Sequence, residues 1–551
     1  MKPFAVDFER WRPHATRWFL ACNALALVLV AVWFRARLLE NIPGTNADEA
    51  WYGVQALEIL EGRSWHVQTP TGNPPNPFFL GPVVFLHTFL HPSMVVLRLV
   101  AVLSGMAALA LNWWLCRWVF DLRTATISTV LLAVLPINIA YSRFAWDASQ
   151  SVAATLPVLY FSLAAVRFDR HRGRWIAAAT AALVVAMLVH PTNVFAGAAI
   201  AAAVAHWVRW KDVRRIARRS AADRRILAGL AAVAILAGVL VGGWLNTSGP
   251  SRFTGRMGDV RELIRPRAAP HFSVLYARLF TGATVYHYIP GSHSWLEWPR
   301  GEDVGGWGID VALFWTAIAA AVWFSWRSWK GRGRMEDRVL VSTWALGLAA
   351  FLLIAGTKAM IPGWERFALC LIAPAVVLTA RGAALCFEAS SGRRRLVVAA
   401  AASLAGWLLV ADYRQHYFAF IEQTGGRSHP TFSTAAVEPK QAALRCVLRH
   451  RDIQGPSDRD TTWIVTTEWW NYWPLRYLGM TERNLRVVTP EEVQGFADYA
   501  SASRQGRVWY VEFSHSDALR RTQAALAGRK VRQWEFADYS GRTVLSLLRE
   551  E

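Results

Sequence analysis

The chain has 551 residues, of which 54% are hydrophobic and 18% charged, and its formal net charge is +21. This length and composition argue against a single water-soluble domain and indicate a membrane protein. The positive charge does not indicate nucleic-acid binding, because the arginines cluster in short loops between apolar blocks and not along one basic face. Such loops are typical of proteins whose surfaces contact anionic lipid headgroups.

Eleven apolar blocks are long enough to cross the hydrocarbon core of a bilayer as helices. Short loops rich in arginine, such as 167–174 and 209–225, alternate with loops that are poor in it. The positive-inside rule therefore places the arginine-rich loops and the N-terminus in the cytoplasm, in a multi-pass protein of the plasma (inner) membrane. The blocks cover residues 18–34, 94–116, 124–141, 149–166, 175–190, 192–208, 226–245, 309–326, 338–356, 366–386 and 396–412.

The remaining segments are expected on the outer side of the membrane. They are 35–93, 142–148, 246–308, 357–365 and the chain after 412. Residues 77–91 are apolar but short, and counting them as a span would invert the side of every later loop. We therefore predict that they form an amphipathic or re-entrant helix in the outer interface.

The chain changes character from about residue 430. Strands are predicted at 463–467, 508–513 and 543–548, and helical stretches near 433–450, 489–503 and 515–528. The predicted fold is thus an α-helical polytopic membrane domain, residues 1–412, followed by an extracytoplasmic α/β domain, residues 413–551.

The predicted spans hold almost no charge at mid-depth, which argues against an ion-coupled transporter. At their outer ends, Asn46-Ala47-Asp48-Glu49 follows the first span and opens a predicted helix. One interpretation is an N-cap followed by acids that stabilise the helix dipole. The other is a carboxylate base that takes a proton from an attacking hydroxyl at the water–lipid boundary. The residues alone leave both interpretations open.

Basic residues also gather at the outer ends of the predicted spans. Arg143 and Asp147 lie four residues apart and could form a simple ion pair on a helix end. Lys358 and Arg366 could be interfacial anchors, and His190 could belong to a helix-terminating turn before Pro191. The functional alternative for Arg143, Lys358, Arg366 and His190 is binding of an anionic lipid donor.

Two motifs in the C-terminal part are ambiguous. Asp458-Arg459-Asp460 has the DxD pattern of a metal–nucleotide site, but the Gly-Pro-Ser sequence before it favours a turn. The cluster Trp469-Trp470-Asn471-Tyr472-Trp473 could stack on sugar faces. Packing of these rings onto the membrane domain is the simpler interpretation.

Several of these segments, taken in order, resemble the signature of GT-C glycosyltransferases of the protein O-mannosyltransferase and aminoarabinose-transferase type. The resemblance covers about residues 15–390. The matching segments are Asp48-Glu49, Asn73-Pro74-Pro75, Val96-Leu97-Arg98-Leu99, Ser142-Arg143-Phe144-Ala145-Trp146-Asp147 and Lys358 to Arg366-Phe367, ending in Pro374.

The resemblance implies inverting transfer of a sugar from a polyprenyl-phosphate donor to an extracytoplasmic lipid, glycan or protein. It implies that Asp48 is the base and that Glu49 and Asp147 orient acceptor or donor. Where many relatives have His or Lys before the Pro-Pro pair, this chain has Asn73. Donor identity and a divalent metal therefore stay open, and no cofactor is assigned.

The chemistry is consistent with the residues independently of the family. A leaving phosphate is a weak base, so it needs positive charge and no general acid, and Arg143, Lys358 and Arg366 could supply that charge. The alternative function is a flippase or transporter of lipid-linked sugars. The uncharged span interiors and the acids in outer loops speak against it.

Overall fold

The computed structural model describes most of the chain, with gaps. The described residues are 8–41, 44–63, 66, 68–70, 75–168, 171–207, 309–355, 364–419, 437–453, 461–496, 498–537, 541 and 543–551. Within them the protein is mostly helical, and its strands all lie after residue 461.

The helices before the strands are numbered here in chain order. They are α1 (Phe8–Ala36), α2 (Ala47–Leu60), α3 (Pro77–His87), α4 (Met94–Val119), α5 (Leu122–Val134), α6 (Pro136–Tyr141), α7 (Ser151–Arg167), α8 (Arg172–Val189), α9 (Ala198–Trp207), α10 (Ile309–Trp329), α11 (Met335–Ala355), α12 (Ile372–Ala389), α13 (Gly392–Tyr413) and α14 (Glu438–Ile453). Short 3₁₀-helices cover Asp147–Gln150, Pro191–Gly197 and Trp364–Leu371, and a π-helix covers Arg414–Ala419.

Six helices within the described ranges are long and apolar enough to cross a membrane, so this is a multi-pass protein. They are Trp18–Ala36, Met94–Val119, Asp147–Arg167, Arg172–Val189, Phe367–Ala389 and Arg394–Ala419. All six coincide with predicted spans. The predicted span at 226–245 lies outside the described residues.

The predicted span over 124–141 is not one continuous helix, because the helix is interrupted at Pro136. Leu135 is extended, with φ −65° and ψ 119°, as is favoured for a residue before proline. Proline has no N–H to donate to the carbonyl four residues earlier, at Leu132. The Asn138 side chain donates to that carbonyl instead, at 2.8 Å. The break therefore leaves the Leu132 carbonyl satisfied, and the chain changes direction just before the segment 142–147.

Helix α3 is the short apolar helix that was predicted at 77–91. Asn76 caps it by accepting a hydrogen bond from the N–H of Phe78, at 2.9 Å, and Pro77 occupies the first turn. The helix has 11 residues. At about 1.5 Å per residue it is roughly half as long as a span requires. Its length therefore fits the predicted interfacial position.

The C-terminal region contains one five-stranded sheet, in the order β2-β1-β3-β5-β4. Strand β1 is parallel to β2 and β3, and β5 is antiparallel to β3 and β4. The predicted strands correspond to β1, β3 and β5, whereas β2 and β4 were not predicted. The elements of this region after α14 are β1 (Thr462–Val465), α15 (Trp469–Gly479), β2 (Leu485–Val488), α16 (Pro490–Val493), α17 (Tyr499–Arg504), β3 (Val508–Phe513), α18 (Asp517–Ala525), β4 (Val531–Ala537) and β5 (Thr543–Glu550).

Glu512, on β3, is a buried carboxyl whose titration affects the stability of the sheet. One of its oxygens accepts hydrogen bonds from the N–H and the hydroxyl of Thr467, both at 2.9 Å. Burial raises the pKa of Glu512 from 4.5 to about 7. In this pH range the folded protein holds the proton more tightly than the unfolded chain. The free energy of unfolding therefore falls as the pH rises from 4.5 to about 7.

We expect Glu512→Gln to remove this pH dependence, because the amide oxygen keeps the bonds to Thr467 and does not ionise. At pH 8 the variant should be more stable than wild type, by about 1–3 kcal/mol. At pH 4 the two proteins should be equally stable. Thermal unfolding across this pH range measures the difference, and parallel pH profiles would contradict the assignment.

Candidate active site

Segments that are far apart in the sequence meet at one end of the helical bundle. Helices α7 and α8 are close in the sequence and pack against each other, so the start of α7 and the end of α8 lie together. Asp147 precedes α7 and His190 follows α8. The 3₁₀-helix Trp364–Leu371 contacts both the short helix at Asp147 and the one after His190. Three predicted site segments therefore share one end of the bundle.

The fourth segment, the start of α2, is attached to the same end through Glu49. The backbone N–H of Ala145 donates to the Glu49 carboxylate at 2.7 Å. Ala145 lies in the segment that leads to Asp147. The two acidic stretches, Asp48-Glu49 and the segment that leads to Asp147, are thus in contact.

Glu49 makes a two-pronged ion pair with Arg98 of α4. Nε and Nη2 of Arg98 donate to the two carboxylate oxygens at 3.1 and 2.9 Å, and both side chains are fully buried. The same guanidinium donates to the carbonyls of Leu39 and Gly44, at 2.7 and 2.6 Å. Arg98 therefore fixes both the start of α2 and the loop that connects it to α1.

Glu49 was predicted to help orient acceptor or donor, and this role stays a prediction. Its carboxylate accepts from Arg98, Ala145 and the N–H of Asn46, the last in a capping box. These bonds and its burial make Glu49 a positioning residue of the protein. The N-cap interpretation of this motif is therefore confirmed, and the functional interpretation, for Asp48, stays a prediction.

Asp48 lies in the first turn of α2 and is partly exposed, in contrast to Glu49. Its N–H donates to the Asn46 side chain at 2.7 Å, so the cap holds the backbone of this residue in place. The positive end of the helix dipole stabilises a carboxylate at this position. Asp48 is therefore a partly accessible carboxylate on a firmly held helix start.

Tyr52, one turn after Asp48, is a site residue that the sequence did not reveal. Burial raises the pKa of its hydroxyl well above the usual value, and the negative charges of Asp147 and Asp48 raise it further. Both carboxylates therefore act on the Tyr52 hydroxyl, which stays protonated. Its oxygen accepts a hydrogen bond from the N–H of Asn76, at 3.2 Å.

A network of amide side chains links Tyr52 to the segment around Asp147. The Asn76 side chain donates to Gln150 at 2.8 Å. Gln150 in turn donates to the carbonyl of Phe78 and to the Ser104 hydroxyl, at 3.0 and 3.1 Å. These bonds join α2, α3, α4 and the 3₁₀-helix that begins at Asp147. The Asn76-Pro77 pair that caps α3 was the available sign of this network in the sequence.

Arg143 was predicted to bind the lipid phosphate; this stays a prediction, and the contacts described for its side chain are all within the protein. Its guanidinium is fully buried and donates to the carbonyls of Phe34 and Arg37 near the end of α1. It also lies over the ring of Phe418, at 4.9 Å from the centroid. A cation at the carbonyl end of a helix is stabilised by the helix dipole. Arg143 therefore anchors α1 to the segment 142–147.

His190 lies in a helix-terminating turn, which was the simpler of the two interpretations of this residue. Its Nδ1 lies 2.6 Å from the Thr192 hydroxyl, and the ring stacks on Phe367 with centroids 5.8 Å apart. A contact between His190 and the donor stays a prediction.

Lys358 and Asn73 lie outside the described residues, as does Asp458-Arg459-Asp460. Only the backbone of Arg366 is described, and it belongs to the 3₁₀-helix at the site.

The Trp469–Trp473 cluster forms the start of α15 and packs against other parts of the protein. Trp473 contacts the core of the sheet region and the core that contains α2. This favours the packing interpretation. The described residues contain no group of three or more His, Cys, Asp or Glu that could hold a metal ion, so no step of a reaction is assigned to a metal here.

A helical membrane bundle with acidic residues at one end and a C-terminal sheet region defines the class of proteins with the GT-C fold. The chain has this fold, which confirms the resemblance found in its sequence. The family model of dolichyl-phosphate-mannose-protein mannosyltransferase matches residues 74–242. No curated protein matches the sequence.

Among solved structures, ArnT from Cupriavidus metallidurans bound to undecaprenyl phosphate is similar with a TM-score of 0.50 and 14% identity. This match covers 97% of this chain and 98% of that one. The archaeal oligosaccharyltransferase AglB from Archaeoglobus fulgidus, in complex with an inhibitory peptide and a dolichol-phosphate, has a TM-score of 0.49 and 15% identity. That match covers 92% of this chain and 71% of AglB.

Proposed function

We propose that this protein transfers a hexose or pentose from a polyprenyl-phosphate donor to an extracytoplasmic lipid, glycan or protein, with inversion. The observation that carries the proposal is the placement of Asp48. It is a partly exposed carboxylate on the capped start of α2, close to Asp147 and Tyr52, in a bundle with the GT-C fold. Undecaprenyl phosphate and dolichol-phosphate in the two similar structures support a polyprenyl carrier.

In the proposed reaction Asp48 accepts the proton of an acceptor hydroxyl. The acceptor oxygen attacks the anomeric carbon, the bond from that carbon to the phosphate oxygen breaks, and the bonding electrons leave with the polyprenyl phosphate. The leaving phosphate needs no proton, but it needs positive charge, which Lys358 and Arg366 supply. Asp147 orients the substrates beside Tyr52.

The proposal includes a topology. The N-terminus lies in the cytoplasm, and residues 1–412, with eleven spans, form the catalytic membrane domain. Residues 413–551 form the extracytoplasmic domain. Because α15 contacts α2, the sheet region lies at the same end of the bundle as Asp48. The active site and the C-terminal domain are therefore on the same, outer side.

Release of free polyprenyl phosphate tests transfer against the flippase alternative. Purified protein in detergent is mixed with a lipid extract that contains polyprenyl-phosphate sugars and with an acceptor fraction from the cell envelope. A transferase releases polyprenyl phosphate in this mixture, whereas a flippase leaves the donor intact. Mass spectrometry of envelope glycans from a strain that lacks the protein then identifies the missing sugar.

Arg366→Ala is expected to weaken use of the lipid donor, because the variant loses positive charge near the leaving phosphate. The KM for the donor should rise by about tenfold or more, as for loss of a charge-assisted hydrogen bond. Arg395→Ala is the matched control. Arg395 follows the other end of α12 and donates to the Ser390 carbonyl. Donor saturation curves that are equal in both variants would make Arg366 an interfacial anchor.

A further inference from the structure

The C-terminal sheet region touches the helix that carries the proposed base. We propose that Tyr477 of α15 is a positioning residue for sugar transfer, which sets the place of Asp48 by packing against Gly53 of α2. This inference rests on the proposed function. It makes the C-terminal region a part of the catalytic apparatus and not only an attached domain.

Gly53 allows an unusually close approach between the two helices. A Cβ atom at this position would lie 2.5 Å from Cδ2 and Cε2 of the Tyr477 ring. No real side chain fits at that distance, so the ring lies directly on the backbone of α2. Glycine inside a helix costs about 1 kcal/mol relative to alanine. The close contact with Tyr477 accounts for a glycine at this place.

The geometry of α2 connects this contact to Asp48. Gly53 is five residues after Asp48, which is about 140° around the helix and about 7.5 Å along it. Tyr477 therefore packs on the side of α2 that faces away from Asp48. Tyr52 is only about 40° from Asp48 and lies on the face of the proposed site. Tyr477 therefore supports α2 on the face opposite to the proposed site.

The hydroxyl of Tyr477 fixes its ring against the membrane domain. Its oxygen accepts from the N–H of Ser93 and lies 3.0 Å from the Ser93 carbonyl, to which it can donate. It is also 2.8 Å from Nε2 of His87. Nδ1 of His87 lies 2.8 Å from the Val83 carbonyl, so the ring proton belongs on Nδ1 and Nε2 is an acceptor. The single hydroxyl hydrogen of Tyr477 is donated either to this Nε2 or to the Ser93 carbonyl. Tyr477 thus ties α15 to α3 and to the start of α4.

A second contact holds the far end of α2. Arg476 forms an ion pair with the buried Glu58, at 2.7 Å. The other Glu58 oxygen accepts from the Gln55 side chain, also at 2.7 Å. Both bonds lie one to two turns after Gly53. Helix α2 is therefore held at its start by Arg98, in its middle by Tyr477 and at its end by Arg476.

Gly53→Ala is the direct test, because the added methyl group meets the ring of Tyr477 and must displace one of the helices. Overpacking of this kind costs about 1–3 kcal/mol. A shift of about 1 Å in a catalytic group can lower the rate about 100-fold. We expect kcat of sugar transfer to fall 10- to 100-fold, with the KM for the lipid donor unchanged. Gly81→Ala in α3 is the matched control, because a Cβ there meets nothing within 4 Å.

The double variant Gly53→Ala/Tyr477→Leu separates spacing from general damage. The smaller leucine leaves room for the methyl group, so kcat should rise from that of Gly53→Ala toward that of Tyr477→Phe, which also lacks the hydroxyl. If the two substitutions caused independent structural defects, their effects on kcat would add as free energies, and the double variant would be less active than Gly53→Ala alone. A Gly53→Ala protein with wild-type kcat, or a double variant with no recovery, would overturn the inference.

If Gly53→Ala does not fold, Tyr477→Phe provides a second test of the positioning role. It retains the ring and loses the bonds to Ser93 and His87, so we expect a severalfold lower kcat at unchanged donor KM. An unchanged kcat, or a change in KM alone, would contradict the positioning role. Wild-type protein without transferase activity would refute the proposed function itself, which distinguishes that failure from failure of this inference.

Discussion

Asp48→Asn is expected to abolish sugar transfer while the protein is still produced and inserted. The amide cannot accept a proton from the acceptor hydroxyl, and loss of one general base lowers a rate by about 10²–10⁴. The fold should tolerate the change, because the Asn46 cap and the ion pair of Glu49 remain. Loss of the charge at the helix start costs only about 0.3–1 kcal/mol.

The measurement is initial transfer rate of purified variants, with thermal unfolding as the check on folding. Asp517→Asn is the matched control, because Asp517 also lies in the first turn of a helix, α18, in the sheet region. The control should retain wild-type activity. An Asp48→Asn protein that transfers sugar at near the wild-type rate would remove Asp48 from the role of base.

Arg98→Met is expected to cause the largest loss of stability among single substitutions at the site. It leaves the Glu49 carboxylate buried without its cation, and breaking a buried pair in this way costs about 3–5 kcal/mol. It also releases the carbonyls of Leu39 and Gly44. Transfer activity should be lost as well, because the start of α2 and with it Asp48 are no longer held.

The double variant Arg98→Met/Glu49→Gln should regain part of that stability, since no buried charge remains. The matched control is Arg123→Ala, which breaks a pair with Glu388 at 3.1 Å in which both side chains are exposed. An exposed pair of this kind contributes at most about 1 kcal/mol. Equal melting temperatures for Arg98→Met and Arg123→Ala would show that the ion pair of Arg98 with Glu49 does not contribute the expected stability.

The helices of the membrane domain could be predicted because lipid imposes a local rule. A span needs a continuous apolar run, and such runs are visible in the sequence. The break at Pro136 was missed because its block is apolar on both sides. The proline itself was the available signal. Strands β1, β3 and β5 lie inside the sheet and are rich in apolar or β-branched residues, whereas β2 and β4 are its two edge strands and are partly exposed.

The site was predictable only as far as single segments show their chemistry. Asp48 and Asp147 stood out because acids at helix ends are few, and their convergence followed from a common outer side. The partners of Glu49 could not be found in the same way. Arg98 is 49 residues away from Glu49 in the sequence, and nothing local distinguishes a buried arginine from one that binds a phosphate. Arg143, which is buried and donates to carbonyls of the α1 region, is an example.

The contact between α2 and α15 also determines when during synthesis the enzyme can become active. His87 and Tyr477, which meet in this contact, are 390 residues apart. A ribosome that adds about 5–20 residues per second needs roughly 20–80 s to make the intervening chain. During that time the early helices can insert, but α2 lacks its contact with Tyr477 of α15. If α15 positions Asp48 as proposed, catalytic competence is acquired in a late docking step, and a chain interrupted before α15 would yield an inserted but inactive bundle.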